Sequence, residues 1–190
     1  MKTVKRAVYF FWLAAIVVAL GIFLFNPSAF TPENLAEFLS TYEAQAIIVY
    51  AAISIFRGLF LVPSTPFVLA GAILFPDSLW AVYIISMIGV MAGSSAVYYF
   101  SDLLGFSQKL EKKYPKQLER WHRRLNSPGS VLIVIAWSFF PFVPTDLICY
   151  VAGIVKMPFR YVLAGVFIGE AVLVYCYVFL GSGIFQYFFG

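Results

Sequence analysis

Four long stretches of this chain are almost free of charge, and no other feature limits its fold so strongly. Ala7 to Phe25 and Trp80 to Ser101 carry none, Ala44 to Phe75 carries only Arg57, and Tyr161 to Leu180 carries only Arg-free, apolar sequence around Glu170. A helix that crosses a bilayer needs about 20 mainly apolar residues, so the runs read as membrane segments. Composition agrees: 62% of the 190 residues are hydrophobic and 12% charged, against roughly 45–50% and about 25% in a soluble domain. Little chain is left for a separate soluble catalytic domain. The net charge of +4 therefore reads as a topology signal rather than a nucleic-acid footprint. Cys149 and Cys176 both lie in apolar sequence and define no disulfide framework.

The charges divide the chain into four parts. Residues 1–43 form an N-terminal transmembrane helix and a surface helix, the latter predicted from Thr31-Pro32-Glu33 with Leu35, Phe38 and Leu39 on one face. Residues 44–101 form a first repeat. Its opening run is interrupted by Pro63-Ser64-Thr65-Pro66, which removes backbone donors and breaks a helix. Neither half spans comfortably by itself, so the run reads as a helix-break-helix hairpin that enters and leaves by one face, followed by a full span. Residues 102–129 form a loop with seven of the thirteen basic residues, among them Lys109, Lys112, Lys113 and Lys116, and this loop is expected to be cytoplasmic. Residues 130–190 repeat the pattern: a run broken at Pro141-Phe142-Val143-Pro144-Thr145-Asp146, then a full span and an apolar tail.

The two halves can be superposed as sequence. Val62-Pro63-Ser64-Thr65 matches Val143-Pro144-Thr145-Asp146, Ala70-Gly71 matches Ala152-Gly153, and Pro76 matches Pro158. With the N-terminus inside, hairpins of this kind place every basic cluster on the cytoplasmic side, one hairpin dipping from outside and the other from inside. The expected fold is thus all-α and integral to the membrane: an inverted repeat of re-entrant hairpin plus transmembrane helix, behind an N-terminal transmembrane helix. Inverted repeats with broken helices meeting at the midplane are common in secondary transporters. Small-residue patterns at Gly89 and Gly93 and at Gly165 and Gly169 are placed for close helix packing.

Counted at about 1.5 Å per residue, Arg57, Asp146 and Glu170 each fall roughly 15 to 22 Å into their segments, near the centre of the hydrocarbon layer. Charges at that depth mark a path or a pair. Ser64, Thr65 and Thr145 are helix-capping types, and Pro66 suits a first helical turn. The second arm of each hairpin would then start in mid-membrane with its positive end available to an anion. Arg57 adds a permanently charged fork for phosphate oxygens. Ser64, Thr65, Thr145 and Arg57 are therefore the candidate substrate-binding residues. Asp146 and Glu170 are the candidate proton-coupling residues, because each repels an anion while ionised and ceases to when it takes up a proton. Pro63, Pro66, Pro141 and Pro144 make the hairpin breaks. The plainer alternatives are that Arg57 pairs with Asp146 or Glu170 to join the halves, that Asp146 is a structural cap, and that Glu170 bonds to a neighbouring helix. His122 stands among Trp121, Arg123 and Arg124 and reads as a solvated loop residue.

No Ser-His pair, paired aspartates, HExxH, CxxC or phosphate-cradling glycine loop occurs. An enzyme, a metal site and a cofactor are therefore not expected. Pro63-Ser64-Thr65-Pro66 with Ala70-Gly71 and Pro76, Gly93-Ser94-Ser95 with Tyr98 and Leu104-Gly105, and Phe140-Pro141 with Pro144-Thr145-Asp146, Tyr150, Ala152-Gly153 and Met157 together resemble the DedA family, the SNARE-associated or VTT-domain superfamily, from about Ala44 to Leu180. The resemblance implies two opposed re-entrant hairpins and a role in moving lipids between leaflets, often coupled to protons or sodium ions. It also implies an Arg where this chain has Ser138, a second near Pro144, and acids in the first hairpin where this chain has Ser64 and Thr65. The expected function is a flippase or scramblase for an anionic, phosphate-bearing lipid such as polyprenyl phosphate or a phospholipid, coupled to a proton gradient. A non-transporting scaffold or assembly factor is the alternative, and a small-solute or ion transporter the third reading. Expected partners are membrane lipids with anionic headgroups and protons or sodium ions, with homo-oligomers left open and no nucleic acid. The expected location is the cell (plasma or inner) membrane, N-terminus cytoplasmic.

Overall fold

The computed structural model of the protein describes residues 2–60, 62–103, 115–127, 129–140 and 143–189. The helices are α1 (Lys2–Phe25), α2 (Pro32–Ser40), α3 (Ala46–Phe56), α4 (Thr65–Leu74), α5 (Leu79–Leu103), α6 (Pro115–Leu125), α7 (Ser130–Ser138), α8 (Thr145–Ile154) and α9 (Phe159–Phe189), with tighter 3-10 turns at Pro27–Phe30, Glu43–Gln45, Arg57–Phe60 and Pro76–Ser78. No strand occurs among the described residues.

Among those residues, two helices are long and apolar enough to cross a membrane, over Pro76–Ser101 and Phe159–Gly181. They are the full spans expected from the sequence, and α9 continues as helix to Phe189 through what reads as a tail. Their outer faces carry exposed Trp80, Ile84, Ile88, Phe167, Ile168 and Val172, an apolar surface suited to lipid. The inner face of α9 is a stripe at every fourth residue, Val162, Val166, Glu170, Val174 and Val178, each at most 3% exposed. One acid thus sits at the centre of a column of valines.

The arms α3, α4, α7 and α8 have 11, 10, 9 and 10 residues. At about 1.5 Å per residue each is roughly 14 to 17 Å long, too short to cross about 30 Å of hydrocarbon. They pack reciprocally. The first arm in each half of the chain lies on the long helix that follows in that half, α3 on α5 and α7 on α9. The second arm crosses to the long helix of the other half, α8 on α5 and α4 on α9, while α5 and α9 pack together.

Glycines at the crossings explain the close packing. A Cβ on Gly93 would fall 3.1 Å from the Cα of Gly58, and one on Gly169 would fall 2.7 Å from the Cβ of Ser138. The small-residue patterns therefore bring hairpin backbones against the long helices, as expected. Buried tyrosines add cross-links: the Tyr50 and Ser86 hydroxyls are 2.6 Å apart, and the Tyr98 hydroxyl donates to the Met157 carbonyl at 2.6 Å.

Local sequence accounts for the ends of these helices. The Thr31 side chain accepts from the Asn34 amide at the start of α2, and Pro32 occupies its first turn. The buried face of α2 is Leu35, Ala36 and Leu39; Phe38, expected there, is exposed. At the end of α8 the Met157 amide donates to the Ala152 carbonyl and the Lys156 amide to that of Gly153. Lys156 adopts φ 52°. This is the left-handed termination in which the following apolar residue packs back, and Met157 is 2% exposed in the core.

One expectation requires correction. The polar segment read as a loop contains α6, because Leu118, Trp121 and Leu125 recur at helical spacing among its charges. Lys116, Arg120, Arg123 and Arg124 are exposed on it, while Leu125 packs against the core. Lys109, Lys112 and Lys113 lie outside the described residues, as does the His122 side chain. Pro66, which closes the first break, stands in the first turn of α4 as its residue type suggested, where a missing amide proton breaks no helical bond.

Candidate functional site

The hairpin tips meet at the centre of the molecule. In the first hairpin α3 tightens into the 3-10 turn Arg57–Phe60, the chain opens at Val62 and Pro63, and α4 begins at Thr65. In the second, α7 ends at Ser138 and α8 begins at Thr145 with Pro144 as its cap residue. Pro141 lies outside the described residues. The Trp137 indole donates to the Pro144 carbonyl at 3.4 Å, which holds the second tip against its own first arm.

Arg57, Thr145, Asp146 and Glu170 are all buried, at 8, 9, 6 and 1% exposure. The guanidinium of Arg57 donates to the Val62 carbonyl at 3.0 Å, so its fork is fixed by its own tip. The same nitrogen is 3.9 Å from a carboxylate oxygen of Asp146, an ion pair beyond hydrogen-bond range. The other Asp146 oxygen faces the Gly58–Gly93 crossing: it lies 3.6 Å from where a Gly58 Cβ would be. Sequence reasoning missed that crossing. Its signal is the dipeptide Arg57-Gly58, in which the glycine lets the arginine's backbone settle against α5.

Thr145 and Glu170 join the second tip to α9. The Thr145 hydroxyl donates to Glu170 Oε1 in a short hydrogen bond. Glu170 Oε2 and the Ser138 hydroxyl are buried without a hydrogen-bond partner, and Ser138 packs on Gly169, next to Glu170.

The capping expectations are corrected here. Neither Ser64 nor the Thr145 and Asp146 side chains make a cap bond at their helix starts. Thr145 is engaged by Glu170 instead, and Asp146 sits in the first turn of α8, where a carboxylate meets the positive end of the helix. The start of α8 is therefore already supplied with negative charge by the chain itself. The start of α4 has no such acid.

Between the tips lies a small cleft with about 60 Å³ open to water-sized occupants, lined by Pro63, Ser64, Thr65, Pro144, Thr145 and Glu170 among others. That is room for a few waters or a small polar group. The structure thus brings together Ser64, Thr65, Thr145 and Glu170 around one opening; Arg57 and Asp146 do not line it, and their pair is linked to it through Thr145, the neighbour of Asp146. Among the described residues no group of His, Cys, Asp and Glu is arranged to hold a metal ion.

Comparison with known proteins gives two results. The VTT domain profile matches residues 62–183. A protein of Methanocaldococcus jannaschii described as uncharacterized is 30% identical over 111 residues, covering 58% of this chain and 67% of the relative. No solved structure matches. The profile takes in α4, α5, α8 and most of α9, with Thr145, Asp146 and Glu170, while Arg57 lies just before it, and the chain belongs to the VTT-domain family, the DedA or SNARE-associated group of membrane proteins.

Proposed function

We propose that this protein moves a phosphate-bearing, anionic lipid, such as a polyprenyl phosphate or a phospholipid, between the leaflets of the cell membrane as a flippase or scramblase, without covalent change to it. Arg57 takes the phosphate oxygens, and Ser64, Thr65 and Thr145 supply hydroxyl contacts across the cleft. Asp146 and Glu170 take up and release protons, each ceasing to repel the headgroup when neutral; sodium ions are the alternative coupling partner. In this reading α1 is a further transmembrane helix with the N-terminus cytoplasmic. The four short arms form two re-entrant hairpins of opposite orientation, a geometry supported by their length and by their reciprocal packing.

The observation that carries the proposal is Arg57: a buried cation, fixed by its own tip, that faces its nearest acid across 3.9 Å without closing a hydrogen bond. A group meant only to fasten two halves is better served by direct bidentate contact. The scaffold reading draws on a different observation, the direct Thr145–Glu170 bond that ties two elements of the second repeat.

Purified protein in liposomes with labelled lipid separates the two. Arg57→Lys keeps the charge and removes the planar fork. A lipid mover loses at least about tenfold in flux with unchanged folded yield. Unaltered flux in that variant, or none from the wild-type protein with any phosphate-bearing lipid, would overturn the proposal.

A further inference from the structure

A second opening lies beyond the cleft, along the same two helices. It is a groove of about 400 Å³ whose lining includes Leu69, Ile73, Leu79, Tyr177 and Val178, with Glu33 of α2 at its rim. On α4 the cleft is bordered by Thr65 and the groove by Leu69, Ala72 and Ile73; on α9 the cleft is bordered by Glu170 and Leu173 and the groove by Tyr177 and Gly181. These positions recur every three or four residues, so on each helix they fall on one face. The cleft and the groove are separate openings that follow one another along the α4–α9 seam, a lane of about 16 Å at 1.5 Å per residue.

The lane changes chemistry along its length. Its deep end is polar, lined by Ser64, Thr65, Thr145 and Glu170, and Arg57 is reached through Asp146, the neighbour of Thr145. Its middle is apolar, apart from the half-buried Tyr177. Its outer end is acidic: Glu33 borders the groove, Glu37 follows one turn later on α2, and Asp77 follows Pro76 of the rim, and all three are exposed. No Lys or Arg occurs from Asn26 to Phe56, from Thr65 to Ser101 or after Glu170. A lipid with only a phosphate headgroup would be repelled at that rim. One whose phosphate is followed by a protonated amine is attracted there, and its phosphate still matches Arg57 at the other end.

We infer that the α4–α9 groove is the boarding site of the transported lipid, and that this lipid is a zwitterionic, amine-bearing phospholipid with its amine at Glu33 and a tail along Leu69, Ile73 and Val178. This rests on the lipid-moving reading, keeps its phosphate at Arg57, and replaces its net anionic lipid with a net neutral one. Acyl chains are as apolar as leucine, so a tail gains little by leaving the bilayer for the groove. Selection therefore falls to the rim charge, while the apolar walls give alignment.

Two measurements on the full-length protein in liposomes test the inference. Phosphatidylethanolamine and phosphatidylglycerol share the phosphate and differ in the amine. Each is offered with a photoactivatable group on the tail, both for cross-linking and for flux. The wild-type protein is expected to label and move the amine lipid at least about tenfold better, with labelled peptides from α4 and α9, and Glu33→Lys is expected to reverse the preference. Ile73→Trp, at an exposed position that tolerates bulk, is expected to lower labelling by both lipids at unchanged folded yield. Equal labelling by the two lipids, or a preference unmoved by Glu33→Lys, overturns the inference and leaves lipid movement intact. Amine-selective labelling of the groove with no flux of any lipid upholds the boarding site and refutes the transport reading instead.

Discussion

The two long helices do similar work with different residues. Along its buried face α5 carries Val82, Ser86, Val90, Ser94, Val97 and Ser101, whereas α9 carries valines around Glu170. Both present two glycines four residues apart to a hairpin arm. On α5 the polar positions are neutral: Ser86 meets Tyr50, Ser101 donates to the Tyr98 carbonyl, and the Ser94 hydroxyl is buried without a hydrogen-bond partner. On α9 the only buried polar side chain of the stripe is ionisable and reaches a hairpin tip. The glycine crossing is thus duplicated while the charge is not: the turn after α3 contributes the cation Arg57, and α8 and α9 contribute the acids Asp146 and Glu170.

The largest test of that duplication is steric. Gly93→Leu on α5 and Gly169→Leu on α9 each drive a side chain into a facing backbone or Cβ. Both are expected to abolish folded yield, measured by size-exclusion profile in detergent. Gly21→Leu, at a position with nothing within 4 Å, should leave it unchanged. A tolerated Gly93→Leu beside a lethal Gly169→Leu would mean that the two crossings are not equivalent.

Charge asymmetry is sharpened by deletion. Asp146→Ala leaves Arg57 buried without its acid and should cost about 3–5 kcal/mol in reversible unfolding, whereas Arg57→Met with Asp146→Leu should recover most of that loss. Glu170→Gln retains an acceptor for Thr145 and should cost less, about 1 kcal/mol. If the double substitution is no more stable than Asp146→Ala, the ion pair is not the source of the loss.

Smaller effects fall on the tyrosine cross-links. Tyr50→Phe ties off one partner in the first repeat and Tyr98→Phe one at the end of the second hairpin; each should lower stability by about 1 kcal/mol, additively, since they touch different elements. Smallest of all, Ile168→Ala on the outer face of α9 should change stability by under about 0.5 kcal/mol, while Val166→Ala on its buried face costs more. Equal losses at these two positions would contradict the assignment of inner and outer faces.

Much of the fold is legible in the sequence because membrane solvation writes it locally. Proline pairs mark the breaks, glycine spacing marks the crossings, and isolated charges in apolar runs mark the cluster. What is not legible depends on tertiary partners. The exchange of second arms between repeats has no local signature, since α4 and α8 would look the same packed on either long helix. The hydroxyls of Ser64 and Thr145 read as caps because their residue type favours capping; the Thr145–Glu170 bond overrides that preference, and only the packed position of α9 reveals it. α6 was detectable from its apolar spacing but is masked in a reading that counts charge alone. The α4–α9 groove arises between elements about a hundred positions apart in the chain.

The fastening of Arg57 has a mechanical consequence. Its grip on Val62 is a direct bond within one loop, while its hold on Asp146 is a longer attraction between loops. A load that pulls the two tips apart falls on the attraction between loops and leaves the bond to Val62 unloaded, so each loop stays whole as the gap between them widens.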